Sequence, residues 1–278
     1  MRTLVHLSDL HFGKVDDDLL APLRTLIETI APDVVVVSGD LTQRAKSVEF
    51  EAARAYLDSL PGPQIIVPGN HDISLYNVFR RFVQPLTRYK RFITDDLEPI
   101  HIDDEIAVLG INTARSLTFK DGRVNHEQLA SMRAAFAGLD PAITRVVVTH
   151  HPFDLPCKQG DDDLVERAPL AMQAFAEVGV DVLLAGHYHL SHAGNTAERY
   201  QISDFAALVV QAGTATSTRG RGEVNSFNVI RIDGPRIEVD RYGWDILGKQ
   251  FSRLQTETFM RSASVWSAHN TGMLAAGL

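Results

Sequence analysis

The chain has 278 residues, 45% of them hydrophobic and 22% charged, with a formal net charge of -8. This composition is typical of a globular protein with a sizeable core, and the acidic balance argues against binding of nucleic-acid polymers through phosphate contacts. One cysteine, Cys157, excludes an internal disulfide framework. With no signal-peptide pattern and no apolar run long enough to span a bilayer, we expect a cytoplasmic protein without a transmembrane segment.

Strand and helix patterns alternate along the first two thirds of the chain. The stretch Val34–Asp40 begins with four valines and predicts a strand that is buried on both faces. Further strands are predicted at 3–7, 64–67, 106–111, 145–149 and 182–185, and helices at 19–30, 47–60, 125–136 and 164–178. This order is typical of parallel βαβ units.

The pattern changes in two other regions. Residues 75–92 interleave aromatic with basic side chains and predict a helical cap, either an amphipathic helix pair with a solvated basic face or a wall against substrate. Strand-like alternation at 208–211, 227–232 and 237–242 predicts a second, more antiparallel sheet. We therefore predict one domain over residues 1–242, with the 75–92 cap as an insertion, and a C-terminal arm or tail at 243–278.

Polar side chains follow five of the predicted strands at the point where each strand ends. They are Asp9, His11, Asp40, Asn70, His71, His150, His187 and His189. Unrelated turn residues would be the alternative interpretation. Because the carboxyl ends of parallel strands meet at one edge of a sheet, we expect these side chains to converge.

Imidazole and carboxylate donors without thiolates suit Mn, Fe or Zn. The donors exceed one tetrahedral site, so we predict two ions that share a bridging anion, for which Asp40 is the candidate. Two divalent ions would outweigh the charges of Asp9 and Asp40, and the net positive site would favour a phosphate oxyanion and lower the pKa of bound water. The predicted reaction is attack of a metal-bound hydroxide on phosphorus.

Five sequence blocks resemble the motif series of the calcineurin-like metallophosphoesterase superfamily. They are Asp9-Leu10-His11, Gly39-Asp40, Gly69-Asn70-His71-Asp72, His150 and Gly186-His187-Tyr188-His189. The resemblance implies an α/β fold, a four-layer αββα sandwich of two mixed sheets flanked by helices. It also implies two metal sites, one formed by Asp9, His11, Asp40 and His189 and the other by Asp40, Asn70, His150 and His187.

The same resemblance implies roles around the metals. His71 would contact the substrate phosphate, with Asn70, and assist the leaving group, while Asp72 would orient the ring of His71 and raise its pKa. Arg219 lies in a segment that resembles a recurrent block near the site, and it is a candidate substrate-binding residue, with a surface turn as the alternative. His151 adjoins His150, which we take as the ligand because it comes first after the strand.

Within the superfamily, the opening Ser8–Phe12 and the block His150-His151-Pro152 look most like class III cyclic nucleotide phosphodiesterases. We therefore expect a dinuclear phosphodiesterase acting on a small-molecule diester, with a 3',5'-cyclic nucleotide as the favoured substrate. A phosphodiesterase or pyrophosphatase for lipid-linked substrates, of phospholipid or UDP-diacylglucosamine type, is the alternative that the cap suggests. A metal-free scaffold like the retromer subunit of this fold is a third interpretation, and assembly as a homodimer stays open.

Overall fold

A computed structural model describes residues 1–74, 85–115, 122–155, 164–219 and 222–269. The chain begins with three strands joined by two helices. They are β1 (Arg2–Leu7), α1 (Asp17–Ile30), β2 (Val34–Ser38), α2 (Ser47–Asp58) and β3 (Gln64–Val67). The three strands pair in parallel, with β1 beside β2 and β2 beside β3. The predicted βαβ units are therefore present.

The middle of the chain builds a second sheet with its own helices. Its strands are β4 (Ile100–Ile102), β5 (Ile106–Gly110), β6 (Thr144–Val148), β7 (Val182–Ala185), β8 (His192–Asn195) and β9 (Leu208–Gln211). The helices in this part are α3 (Thr87–Phe92), α4 (His126–Phe136) and α5 (Ala168–Val178). The sheet order is β4-β5-β6-β7-β9-β8, and β5, β6, β7 and β9 are parallel while β4 and β8 are antiparallel.

The last four strands return to the first sheet. They are β10 (Ser226–Asp233), β11 (Arg236–Asp245), β12 (Gln250–Ser262) and β13 (Val265–Ala268). The order of this sheet is β13-β12-β11-β10-β1-β2-β3, and β10 is antiparallel to β1. The prediction that 208–211, 227–232 and 237–242 share one sheet is therefore wrong. Strand β9 pairs in parallel with β7 and, like the other parallel strands of that sheet, is buried on both faces.

Alternate side chains of the strands pack in different layers. Val34 and Val36 lie between the two sheets, whereas Val35 and Val37 face helices α1 and α2. In the second sheet, Val147 and its neighbours pack with α4 and α5. The molecule is thus a helix, sheet, sheet, helix sandwich, and the predicted fold class is confirmed.

The segment after Gly243 continues the first sheet. Strand β11 runs through the predicted boundary at residue 242, and β12 and β13 lie outside it, up to the end of the described residues. Trp266 on β13 is buried, and its Nε1–H donates to Asp181 Oδ1 at 3.0 Å. Most side chains of β12 are exposed or half-buried, so this strand gives little apolar pattern in the sequence.

Only part of the predicted 75–92 cap lies within the described residues. Helix α3 packs on α2, where Phe92 stacks on Phe50 and the buried Tyr89 donates from its hydroxyl to the Ile66 carbonyl at 2.9 Å. Residues 75–84, with Tyr76, Phe79 and Phe82, lie outside the described residues. Across the part of the chain that is described, no helix combines the length and apolar character needed to cross a membrane.

Candidate metal centre

The loops that follow β1 and β2 pair with each other at the carboxyl edge of the first sheet. Asp9 N donates to the Gly39 carbonyl at 3.1 Å, and His11 N donates to the Asp40 carbonyl at 2.9 Å. Asp9, His11 and Asp40 all have left-handed backbone conformations, with φ of 53°, 50° and 53°. Such backbone conformations are uncommon for residues other than glycine. They are enriched at functional sites, where the surrounding structure stabilises them.

One group of donor atoms forms around Asp9. Asp9 Oδ1 lies 3.5 Å from His11 Nε2 and 3.2 Å from His189 Nε2. The two imidazole nitrogens are 3.3 Å apart, and Asp40 Oδ2 lies 3.6 Å from His11 Nε2. The four side chains that the resemblance assigned to the first metal therefore meet at one point.

The second group of donor atoms forms on the other side of Asp40. Asp40 Oδ1 lies 3.4 Å from His150 Nε2. Asn70 Oδ1 lies 3.1 Å from both His150 Nε2 and His187 Nδ1. Each oxygen of Asp40 thus faces a different group, which is the arrangement that a bridging ligand requires. A Cβ on Gly69 would lie 2.1 Å from Asp40 Oδ1, so only glycine allows this approach.

The donor spacing fits shared cations. Two ligands about 2.1 Å from one ion lie about 3.0 Å apart in octahedral and about 3.4 Å apart in tetrahedral geometry. Most of the distances above, 3.1 to 3.4 Å, lie in this range, and only the contacts of His11 Nε2 with Asp9 and Asp40, at 3.5 and 3.6 Å, exceed it slightly. Asp9 Oδ1 is buried and makes no hydrogen bond within the described residues, although a carboxylate oxygen in that position needs a cation or a donor. The residues therefore fit a dinuclear centre.

Backbone carbonyls orient the imidazoles from behind. His150 Nδ1 donates to the Ser38 carbonyl at 2.7 Å, and His189 Nδ1 donates to the Arg219 carbonyl at 3.2 Å. These contacts direct the Nε2 atoms of both rings into the donor groups. Such contacts fix the tautomer of metal-binding histidines and hold the ring in place.

Charged groups in the site strongly shift the pKa values of their neighbours. Burial opposes ionisation of Asp9, but the imidazoles of His11 and His189 hold its pKa well below the ordinary value. Burial likewise opposes charge on His150, but the Asp40 carboxylate raises the pKa of His150 to about 9. The Asp9 and Asp40 carboxylates therefore attract positive charge, in the form of either protons or metal ions.

His71 lies beside the first donor group, with its ring centroid 5.0 Å from that of His11. Its Nδ1 donates to the Gln43 carbonyl at 2.9 Å, and Arg219 Nη1 donates to its Nε2 at 3.1 Å. Burial lowers the pKa of His71, against the effect of the Asp40 charge. Arg219 is thus part of the site and does not lie on a distant surface turn.

The structure corrects the interpretation of Asp72. Its Oδ1 accepts from the amide and hydroxyl of Thr42, both at 2.9 Å, and its Oδ2 accepts from Leu41 N at 3.1 Å and Gly69 N at 2.9 Å. The Gln43 carbonyl, not Asp72, orients the His71 ring. The predicted contact is therefore wrong, and so is a raised pKa for His71. Asp72 joins the loops after β2 and β3, and burial, with the Asp40 charge, raises its own pKa to about 6.

Sequence reasoning missed several residues that support the ligands. Thr113 lies in the loop that follows β5, three residues after Gly110. Its Oγ1 is 2.8 Å from His151 Nδ1, and the centroid of the His151 ring is 4.7 Å from that of His187. Thr214 donates from Oγ1 to the Asp9 carbonyl at 2.8 Å. The polar pair Asn112-Thr113 at a strand end was the available signal. Thr214 lies in the segment 213–219 that resembles a recurrent block near the site, and this resemblance was its available signal.

Comparison with known proteins assigns the family. The family model for calcineurin-like phosphoesterases matches residues 2–191. This chain belongs to that family. This match confirms the predicted resemblance to the superfamily and the predicted enzyme class, a metallophosphoesterase.

Two relatives and one solved structure are similar to this family member. The glycerophosphodiester phosphodiesterase GpdQ of Enterobacter lignolyticus is 28% identical over 196 residues, which cover 62% of this chain and 68% of GpdQ. The 3',5'-cyclic adenosine monophosphate phosphodiesterase CpdA of Escherichia coli K12 is 23% identical over 201 residues, which cover 67% of this chain and 69% of CpdA.

The solved structure is purple acid phosphatase PPD1 from yellow lupin, with a TM-score of 0.70 at 11% identity, covering 94% of this chain. The match covers 54% of the lupin chain, so the present chain spans about half the length of that protein. At this identity the likeness shows the fold alone.

Proposed function

We propose that this chain is a dinuclear metal-dependent phosphodiesterase for small phosphodiesters, with 3',5'-cyclic nucleotides as the favoured substrate class. The observation that supports it best is the placement of Asp40, whose two oxygens face two separate groups of donors. The names of the relatives GpdQ and CpdA, both phosphodiesterases, favour diester over monoester hydrolysis.

The residues that would hold the cations are those assigned from the motifs. Asp9, His11, Asp40 and His189 would form one site and Asp40, Asn70, His150 and His187 the other. When bound, two cations supply a water of lowered pKa and neutralise charge on a phosphodiester. Manganese, iron and zinc all suit this donor set.

His71 and Arg219 are the residues that would act on the substrate. The Arg219 guanidinium, which donates to His71 Nε2 in this structure, is also a donor for a phosphate oxygen. If Arg219 binds the phosphate, His71 Nε2 becomes available to hold a proton near the leaving oxygen. Its Nδ1 contact to Gln43 keeps the ring in place during that exchange.

The proposal is tested by metal analysis combined with turnover. Protein loaded with Mn²⁺ or Fe²⁺ should bind about two ions per chain. It should hydrolyse bis(p-nitrophenyl) phosphate and cAMP faster than p-nitrophenyl phosphate. Monoester turnover far above diester turnover would overturn the diesterase assignment, and failure to bind metal would favour the scaffold interpretation.

One cavity favours lipid-linked substrates as a second candidate. A cavity of about 390 Å³ beside α3 is lined by apolar side chains that include Leu86, Leu97 and Ala114, and by the cations Lys90 and Arg115. Such a cavity suits an alkyl or acyl group near an anionic one. Leu97→Asn should then raise KM for a lysophospholipid diester and leave KM for an aryl diester unchanged. Equal effects on both substrates would dismiss this candidate.

A further inference from the structure

A second cavity beside α3 lies next to the segment that holds His71. Its volume is about 210 Å³, which is room for a phosphate and part of the group that carries it. It is lined in part by Ala45, Asp72, Arg88 and Arg91. Ala45 is two residues from Gln43, whose carbonyl accepts from His71, and Asp72 directly follows His71. Ala45 N also donates to Thr42 Oγ1 at 3.1 Å, and Thr42 Oγ1 donates to the His71 carbonyl at 3.2 Å, so the cavity wall is in hydrogen-bond contact with the segment that holds His71.

The cations of this cavity are not neutralised. Arg88 Nη1 donates to the Ala45 carbonyl at 2.6 Å, which fixes its guanidinium at the wall. Arg91 is exposed, with its guanidinium carbon 5.2 Å from the Phe92 ring centroid. Within the described ranges, neither guanidinium forms an ion pair with a carboxylate, although the chain as a whole has a net charge of -8. Two unneutralised arginines at one cavity are an anion-binding arrangement.

The other polar groups that line the cavity do not prevent an anion from binding there. Ser47 and Ser74 contribute hydroxyl groups, which can donate to phosphate oxygens. The Asp72 carboxylate is almost fully buried, and each of its oxygens already accepts two hydrogen bonds from the surrounding loops. The cavity thus offers guanidinium and hydroxyl donors to a ligand.

We propose that this cavity is a subsite for a second phosphate group, a terminal phosphate on the nucleoside or alcohol part of a phosphodiester substrate. The proposal rests on the proposed function, because it assumes that the diester binds at the metal centre. A cyclic nucleotide would leave the subsite empty, whereas a linear dinucleotide with a 5'-phosphate would fill both positions. The favoured substrates would then be diesters that carry an additional monoester phosphate.

The test uses two dinucleotides that differ by one phosphate, pApA and ApA. The metal-loaded enzyme should hydrolyse pApA with a kcat/KM about 10- to 100-fold above that for ApA, the factor expected for a charge-assisted contact. Arg91→Gln should reduce this ratio to about one and leave turnover of bis(p-nitrophenyl) phosphate unchanged. Arg88→Lys keeps the charge and should retain part of the ratio. Arg24→Gln on α1 removes one exposed positive charge elsewhere and should leave the ratio intact.

A binding measurement separates this proposal from the proposed function. Calorimetry on the Mn²⁺-loaded protein uses methylphosphonate-linked analogues of pApA and ApA, whose linkage is not hydrolysed as a phosphodiester. The 5'-phosphorylated analogue should bind more tightly than the other, and Arg91→Gln should abolish that difference. Equal affinities in the wild type, or an equal loss in Arg24→Gln, would overturn the subsite even if diesters are hydrolysed. Preferential binding of pApA without hydrolysis of any diester would overturn the proposed function and leave the subsite standing.

Discussion

Asp40 presents one carboxylate oxygen to each of the two groups of candidate metal-binding side chains. An asparagine in its place would offer one oxygen and one amide group, and the amide N–H groups would be repelled by a cation. The substitution also removes one of the two carboxylate charges, Asp9 and Asp40, among the proposed ligands. Both effects weaken metal binding while the size of the side chain stays the same.

Asp40→Asn should therefore lower the metal content below two ions per chain and reduce kcat/KM for an aryl diester by at least about 100-fold. Elemental analysis and initial rates measure the two effects. Asp33→Asn is a matched control at the other end of β2, where Asp33 accepts from Thr3 N at 2.7 Å. Full occupancy by two ions in Asp40→Asn would contradict the bridging role.

Arg219 contributes to the site through both backbone and side chain. Its carbonyl accepts from His189 Nδ1, and its guanidinium donates to His71 Nε2. Arg219→Ala keeps the carbonyl, so we expect unchanged metal content together with a roughly tenfold rise in KM for a diester. Metal analysis and steady-state kinetics check this, with Arg236→Ala on β11 as a control. Loss of metal with an unchanged KM would show that the side chain stabilises the loop and does not bind phosphate.

His6 lies fully buried between the sheets, with Nε2 2.9 Å from Ser38 Oγ. Burial lowers the pKa of His6 to about 3, whereas in the unfolded chain it is 6.5. The unfolded state therefore binds more protons below pH 6.5, so the contribution of neutral His6 to stability is present above that pH and is lost as the pH falls toward 3.

Lowering the pH from 7 to 5 should therefore reduce the free energy of unfolding of the wild type by about 2 kcal/mol through the His6 side chain. Urea unfolding of metal-free protein at both values measures the change. The His6→Gln variant can still hydrogen-bond to Ser38, and its loss of unfolding free energy over this pH range should be smaller than that of the wild type by this amount. An identical pH dependence in both proteins would show that His6 does not carry the effect.

The sequence predicted which side chains meet at the candidate centre better than it predicted their hydrogen-bond partners. Asp9, His11 and Asp40 could be predicted because each directly follows a strand, and strand ends of parallel sheets converge. Asp72 was misjudged because it is adjacent to His71 in the sequence, whereas its partners Leu41 and Thr42 come from another loop. Adjacency in the sequence says little about which groups a side chain contacts once the loops have folded.

At the scale of elements, the centre depends on close contact between loops from different strands. The loop after β7 contacts the loop after β1, where His187 N donates to Asp9 Oδ2 at 3.1 Å. A Cβ on Gly186 would lie 1.8 Å from Ser8 Oγ and 2.7 Å from Asp9 Oδ2. Any side chain at residue 186 therefore displaces a ligand loop.

Gly186→Ala should reduce metal binding and lower diester turnover by at least about tenfold, since a shift of about 1 Å at a catalytic centre can cost 100-fold. Gly194→Ala on β8 is the control, because its Cβ would meet only the end of the His192 side chain, at 2.9 Å. Turnover equal to that of wild type in Gly186→Ala would show that these loops tolerate displacement.

The predictability of the strands follows from their burial. Strands β2 and β7 are buried along their whole length, so each is a continuous apolar run that the sequence reveals. Strand β12 lies near the edge of the first sheet and carries mostly exposed or half-buried side chains, so it could not be recognised. The sheet that β9 joins depends on where the chain crosses from one sheet to the other. A local hydrophobic pattern carries no information about that crossing.

At the scale of the molecule, Asp181 connects the two sheets. It directly precedes β7, and its Oδ1 accepts from Trp266 Nε1 on β13 and from Arg261 Nη1 on β12, at 3.0 and 2.8 Å. This connection lies at the amino end of β7, whereas the proposed ligands His187 and His189 follow its carboxyl end. Stability and catalysis can therefore be altered separately.

Trp266→Phe removes the Nε1–H donor and part of a buried ring, so we expect a loss of about 1 to 3 kcal/mol in the free energy of unfolding. Urea denaturation measures it, and kcat of the folded enzyme should stay unchanged. Trp244→Phe on β11 is the comparison, since Trp244 is only partly buried. An altered kcat in Trp266→Phe would indicate that the sheet contact influences the centre.

Each proposed cation position receives donors from both sheets. The first sheet supplies Asp9, His11, Asp40 and Asn70, and the second supplies His150, His187 and His189. A bound cation pair would therefore cross-link the two halves of the molecule as well as perform chemistry. Chelation should then accelerate amide hydrogen exchange throughout both sheets and not only in the ligand loops, since separating the sheets would no longer require coordination bonds to break.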